Sequence, residues 1–382
     1  VKFECAEEGE AQSGPDPCDP PTDPTGEVDL ALEWLASQQQ EDGSWNLDGS
    51  AGAFPGGATG LAVLAFLGNG NTPYSGTYKQ NVCDAIKFLI SYQQGEGNLE
   101  TIGATPGLYC HLFAHWAMAE AVLLSQQATD GGCAEGCDLT MEEMRTAAES
   151  ATAYTVYAHL DGGSWKYTPI WGDGDRKGDP SHMIWGLSAL VASKKAGLQG
   201  ALSDTQLRKI KTLLNNNGSN PVDDPSAGYA VDSEYFYHSY HDPALSPRMS
   251  ACSLFSRTLL QELSGDLNHG AVPASHAAMQ SFFDNNSPDL AGDLYYNKPA
   301  TLLAYQVGGS VWSNWINVLQ PYLSANQDTS GGANDGSWLF SDNHAQGGNA
   351  PRNCNTEGGR LYCTVFAILC LEPGYAGLKL FE

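Results

Sequence analysis

The chain has 382 residues, and its 44 acidic against 18 basic side chains give a formal net charge of −26, which makes nucleic acid and anionic membrane surfaces repulsive partners. Apolar residues make up 42 %, enough for a full core, yet no stretch approaches the roughly 18 uninterrupted apolar residues that membrane insertion requires. Ten cysteines without a complete metal motif predict disulfides, an oxidising compartment and a secreted protein.

Residues 1–26 form a first region, an extended arm rich in Pro, Asp and Gly with Cys5 and Cys18 placed to pair within it. The start at Val1 reads as a processed, mature product. The arm is expected to reach a neighbouring copy, and self-association through such a heterologous contact generates filaments or tubes when it does not close. Residues 27–382 are expected to form a single domain.

Within it one phrase recurs: Asp42-Gly43-Ser44-Trp45, Gly162-Gly163-Ser164-Trp165 and Asp335-Gly336-Ser337-Trp338. The spacing fits a unit of roughly 60 residues repeated six times with some copies eroded. The first copy follows a helical stretch ending in Gln38, Gln39 and Gln40. The second unit has the same shape, with helical 83–90 running into Gln93-Gln94-Gly95-Glu96-Gly97-Asn98. Helical 206–214 before Ala227-Gly228-Tyr229 supplies the fourth, and 276–284 a worn fifth.

Each phrase leads to a second stretch, at 59–67, 107–124, 181–194, 248–263, 299–307 and 359–371, rich in Ala and Leu and nearly free of charge. Such helices are buried on most sides. The first stretch of each pair, as in 143–159 or 202–214, is more charged and faces solvent on one side. Six such pairs without strand alternation describe an inner ring of helices inside an outer ring, an all-α (α/α)6 toroid. The segment His238-Ser239-Tyr240-His241-Asp242 has no clear period and is expected to be a loop.

Gln38 with Gly43 and Trp45, Gln39 or Gln40 serving equally, resembles the glutamine–tryptophan repeat of squalene-hopene cyclases, protein prenyltransferase β subunits and their bacterial relatives. The resemblance spans about 27–372 and implies an α/α toroid. Gly358-Gly359-Arg360-Leu361-Tyr362-Cys363-Thr364 with the following Ala367 to Glu372 resembles the closing helix of secreted bacterial toroid proteins. The repeat has a physical reading of its own. The glutamine satisfies backbone groups left free at a helix end, the tryptophan covers that end, and the glycine turns the chain with positive φ, so Gln38, Trp45, Trp165 and Trp338 are structural.

Catalytic residues are sparser. The Asp-x-Asp-Asp-Thr run that the cyclase resemblance would supply is missing. Its nearest counterpart, Asp173-Gly174-Asp175-Arg176-Lys177-Gly178-Asp179, ends in an expected N-cap, Asp179, followed by Pro180. Against the prenyltransferase zinc site, the histidine position falls on Cys363 and the Asp-x-Cys position near Lys298 and Pro299, so zinc is not expected. His111 and His115 share one helical face at i,i+4, a spacing that suits a metal but more often serves packing. Asp173, Asp175 and Asp179 match parts of a calcium loop, while Lys177 and Ile184 exclude an EF-hand and leave only an irregular Ca²⁺ site. No cofactor is required.

Cysteine pairs are expected at Cys5–Cys18, Cys133–Cys137 and Cys354–Cys363, with Cys110, Cys363 and Cys370 alternatively inert buried thiols. Tyr109, Tyr167, Trp171, Trp185, Tyr295, Tyr296 and Tyr305 could line a barrel mouth or pack between the rings. The missing motifs favour an extracellular, non-catalytic toroid for assembly or binding. The alternative is an enzyme of the cyclase or prenyltransferase type acting on an apolar or glycan substrate in the mouth, with Asp179, His111 and Arg360 its first candidate residues, since inner-helix N-termini face that mouth.

Overall fold

A computed structural model describes residues 25–49, 52–100, 107–127, 137–167, 178–216, 236–238, 242–245, 247–264, 276–340, 354 and 358–373. The expected Cys5–Cys18 pair, the arm up to residue 24, Cys133, Trp171, Asp173 and Asp175, and the turn Ala227-Gly228-Tyr229 lie outside the described residues.

Six inner helices are α2 (Pro55–Gly68), α4 (Gly107–Gln127), α6 (Pro180–Lys195), α8 (Pro247–Ser264), α10 (Leu294–Val307) and α12 (Gly359–Leu371). The outer helices are α1 (Thr25–Ser37), α3 (Lys79–Tyr92), α5 (Met141–Tyr157), α7 (Asp204–Asn216), α9 (His276–Asn285) and α11 (Gly309–Asn326). Each inner helix packs on the next, and α12 packs back on α2, so the ring closes as an (α/α)6 toroid. Composition explains the sorting. Every residue of α2 from Gly56 to Gly68 is buried, whereas α3 buries only Val82, Cys83, Ala85, Ile86 and Leu89 on one stripe. Small residues also set the spacing of the inner ring. A Cβ on Gly60 would lie 2.5 Å from Ala114 Cα, so α2 and α4 meet backbone to backbone.

The repeated phrase is the joint of this structure. Trp45, Trp165 and Trp338 are fully buried and donate their indole N–H to Leu35 O, Thr155 O and Leu323 O, each at 2.8 Å, closing an open carbonyl of the preceding outer helix. Of the three candidate glutamines, Gln38 is exposed and its side chain bonds only Ser37 Oγ. Gln39 takes the role: its Nε2 donates to Gly43 O within the turn and to Asn81 O on the next outer helix, both at 2.9 Å. Gln93 repeats this with Gly97 O and Ala147 O, and Gln327 with Gly336 O and Glu27 O. Phase explains the choice of Gln39, because the side chain must point along the seam and not outward. The turn glycines serve two ends at once. Gly336, at φ 88°, would place a Cβ 2.2 Å from Leu30 O of α1, so neither its conformation nor its space admits a side chain.

In the third unit His159 stands where the glutamine does elsewhere. Its ring meets Trp165 edge-on at 5.1 Å, but Nε2 is buried without a hydrogen-bond partner, and burial followed by the nearby Lys209 lowers its pKa to about 4. His159→Gln is therefore expected to add two side-chain hydrogen bonds across this joint and to stabilise the toroid by about 1 kcal/mol, read as a higher denaturation midpoint. An unchanged or lower midpoint would show that the joint does not accept the amide.

Two disulfides are present among the described residues. Cys354–Cys363 is as expected. Cys137 pairs with Cys83 of α3 and not with Cys133, and this bond ties α3 to the segment leading into α5, a partner 54 residues away that no local spacing reveals. Cys110, Cys252 and Cys370 are buried free thiols. The segment expected as a loop around His238 contains an antiparallel pair, β1 (Phe236–His238) with β2 (Asp242–Leu245), set against α6 and α8. No described helix is long and apolar enough to cross a membrane.

Candidate functional site

Because each outer helix returns the chain, all six inner helices run the same way and their N-termini gather at one mouth, beside the Gly-Ser-Trp turns. Carboxylates stand at four of these N-termini. Glu100 accepts from Gly57 N of α2, Asp179 from Ser181 N of α6, Asp293 from Tyr296 N of α10 and Asp48 from Leu361 N of α12. The free N–H groups and the helix dipole favour negative charge there.

Asp179 and Asp293 are joined to an aromatic wall. On α4, Tyr109, Phe113, Trp116 and Glu120 follow one another at helical spacing on a single stripe, which the ring contacts turn toward the barrel axis. Phe113 meets Trp185 of α6 at 5.0 Å and Phe366 of α12 at 6.2 Å, and Trp185 meets Tyr295 of α10 at 5.8 Å, so rings from four inner helices converge. Tyr362 stacks on Phe366 at 4.2 Å. Tyr109, Tyr167, Tyr295 and Tyr362 are half-buried around this plug.

A polar chain threads these rings. Tyr109 OH contacts Ser181 Oγ, which donates to Asp179 Oδ1 at 2.7 Å. Tyr295 OH donates to Ser181 O at 2.6 Å and accepts from Trp185 Nε1 at 3.1 Å. His182 stacks on Tyr109 with ring centroids 3.6 Å apart, and its Nδ1 lies 3.9 Å from Asp179 Oδ2. Burial pushes both phenols, Tyr109 and Tyr295, well above their usual range. Asp293 is raised too, by burial first and against the pull of Arg248, which donates to its Oδ2 through Nε at 3.0 Å and also through Nη2. The Cys252 thiol on α8 is pushed up chiefly by burial, against the pull of Arg248 and with smaller pushes from Asp293 and Asp179.

The other candidates have different surroundings. His111 Nδ1 accepts from Leu99 N at 3.1 Å and its Nε2 meets Thr155 Oγ1 at 2.9 Å. His115 is engaged by Thr155 on Nδ1 and by Thr152 and Ser193 on Nε2. Every nitrogen of the pair is occupied, by the Leu99 backbone or by hydroxyls of α5 and α6, so it is packing between the rings and lacks a lone pair for metal or substrate. Arg360 donates to Ser337 Oγ at 2.8 Å and braces the last Gly-Ser-Trp turn. Asp179 is the N-cap that its Asp-Pro sequence indicates, with the remaining oxygen toward His182. Tyr296 and Tyr305 pack against Trp315 and Trp312 of α11, away from the mouth. Cys363, at the position compared with a zinc-binding histidine, is tied up in its disulfide. Among the described residues no group of three or more His, Cys, Asp or Glu side chains is arranged to hold a metal ion.

His182, Asp293, Arg248, Phe113, Tyr362 and Phe366 were not singled out from sequence. The i,i+4 pairs Tyr109/Phe113 and Tyr362/Phe366 were visible there as aromatic stripes. Nothing local marks Asp293 or His182.

No family model matches the sequence, and no curated protein is similar to it at the sequence level. Solved structures are similar in fold. An α-amylase from Clostridium perfringens superimposes with a TM-score of 0.51 at 10 % identity, over 91 % of this chain and 98 % of the other. A cellobiose 2-epimerase from Bacillus thermoamylovorans gives 0.54 at 11 %, over 89 % and 97 %. A family 76 glycoside hydrolase, a mannosidase from Bacteroides thetaiotaomicron, gives 0.52 at 10 %, over 91 % and 96 %. These likenesses overturn the expectation of a non-catalytic assembly or binding module. These three toroids are an α-amylase, a cellobiose 2-epimerase and a mannosidase, so the absence of cyclase and prenyltransferase motifs is no argument against catalysis on this fold.

Proposed function

We propose that this toroid is a secreted enzyme acting on glycans at the mouth formed by the inner-helix N-termini. The observation that carries the reading is the pairing of a half-buried tyrosine wall with two carboxylates, Asp179 and Asp293, on facing helices. Sugar rings present apolar C–H faces that lie well on phenol rings, while reaction at a glycosidic bond needs one carboxyl as acid and another as base or nucleophile. Asp293, whose burial favours the protonated form, suits the acid, and Asp179, with Oδ2 turned to the His182 edge, suits the base. The fold likeness to glycosidases and an epimerase supports the same substrate class. The two disulfides support secretion. Kinship with terpene cyclases and prenyltransferases rests on the Gly-Ser-Trp joint alone, which is architecture.

Incubation with gluco-, manno- and xylo-oligosaccharides, followed by chromatography of the products, tests this. Turnover of at least one series is expected, with Asp179→Asn and Asp293→Asn each lowering kcat by about a hundredfold or more while the fold is retained. Absence of turnover and of binding across the panel would sink the reading.

A further inference from the structure

His182 is fully buried at the third position of α6, yet its Nε2 has no hydrogen-bond partner. An orphaned buried ring nitrogen is unfavourable by about 1–3 kcal/mol, so its persistence calls for a partner that arrives from outside. The other edge of the ring is provided for. Nδ1 faces Ser181 Oγ at 3.4 Å and Asp179 Oδ2 at 3.9 Å, and a carboxylate on that side favours the Nδ1–H tautomer, leaving the lone pair on Nε2. Burial holds the imidazole neutral, with a pKa of about 4, so the lone pair persists at neutral pH. The ring is fixed by stacking on Tyr109 and by the edge of Tyr167 at 4.8 Å. It is therefore a preset acceptor among the tyrosines of the mouth.

Resting on the glycan reading above, we propose that Nε2 of His182 accepts a hydrogen bond from a hydroxyl group of the bound sugar, beside the phenol rings of Tyr109 and Tyr167. The ligand class is a neutral saccharide offering an O–H donor, because a carboxylate or phosphate would bring an acceptor to an acceptor, next to Asp179. Both tyrosines are half-buried, so part of each ring is open to the sugar.

The test uses the full chain with ¹⁵N-labelled histidine and the same oligosaccharide series. A sugar that binds should move the His182 Nε2 resonance from its unprotonated, unbonded position while Nδ1 stays protonated. His182→Phe, which keeps the stacked ring and removes the nitrogen, should weaken binding about tenfold to a hundredfold, and His182→Gln, which restores an acceptor, should recover part of it. In the wild type, binding should fall away as the pH drops through about 4, where the imidazole gains its second proton. Saccharide binding with an unmoved Nε2 resonance and full affinity in His182→Phe would overturn this assignment and leave the glycan reading standing. A wild-type protein that binds no saccharide would overturn both.

Discussion

Glu372→Gln is expected to stabilise the protein near neutral pH by about 1–3 kcal/mol and to flatten its pH profile. Glu372, just past the end of α12, is fully buried at the seam where the ring closes. Asn69 at the end of α2 donates to its Oε1 at 3.1 Å, and Oε2 has no partner. Burial first, with a small push from Asp29, raises its pKa from 4.5 to about 8 despite Asn69 and Lys298. The unfolded chain ionises this group near pH 4.5, whereas the folded chain keeps the proton until about pH 8. Its contribution is present below pH 4.5 and is lost progressively as the pH rises toward 8. Glutamine removes that loss.

Lys298 of α10 is a second buried ionisable group beside this seam, its Nζ bonded to Leu369 O at 2.8 Å. Burial lowers it from 10.5 to about 8, against the pull of Cys370 and Glu372. Its contribution runs the opposite way, present above pH 10.5 and lost as the pH falls through 8, so it adds no slope between pH 5 and 7. Denaturant unfolding at pH 5 and pH 7 separates the two. Wild-type stability should fall across that interval because of Glu372, and the variant should lose that part of the slope. Parallel profiles would show that Glu372 is already ionised in the folded state.

Trp165→Ala should lower stability by about 3–5 kcal/mol and abolish activity beyond what unfolding explains. The indole fills a fully buried site so tight that a Cβ on Gly186 of α6 would stand 2.7 Å from its ring. Its loss leaves a cavity and an unpaired Thr155 carbonyl. The same turn also carries the candidate site: Asp179 N donates to Trp165 O at 2.9 Å, and Ser164 Oγ donates to Asp179 O at 2.8 Å. Trp45→Ala makes the matched control, since it removes an equivalent joint where no carboxylate of the tyrosine wall is attached. Equal denaturant midpoints with a much larger activity loss in Trp165→Ala are the expected outcome. Equal activity losses per folded molecule would show that the turn does not position Asp179.

The helix pairs and their inner or outer place were legible because burial is written in local periodicity. The charge-poor stretches at 107–124 and 359–371 map closely onto α4 and α12, and the Asp179-Pro180 start onto α6. Which glutamine serves was open among Gln38, Gln39 and Gln40, because they are equivalent in type and differ only in the direction each points, and the fold selects Gln39. The cysteines divide on the same ground. Cys354 and Cys363 lie only nine residues apart and were readable, whereas Cys83 meets Cys137 only after the segment leading into α5 is laid against α3.

Function was misjudged for a related reason. The expectation of a non-catalytic module came from the absence of contiguous runs, yet the candidate site takes Tyr109, Asp179, His182, Tyr295 and Tyr362 from four helices spread over most of the chain. Apolar periodicity, turn glycines and capping residues act over a few residues, so the amino-acid order alone dictated the helix pairs and the joints between them. Ring closure, the convergence of the tyrosines and carboxylates at one mouth, and the burial that raises Asp293 and orphans His182 arise only when distant helices meet, because desolvation and pairing depend on neighbours that the linear chain does not specify.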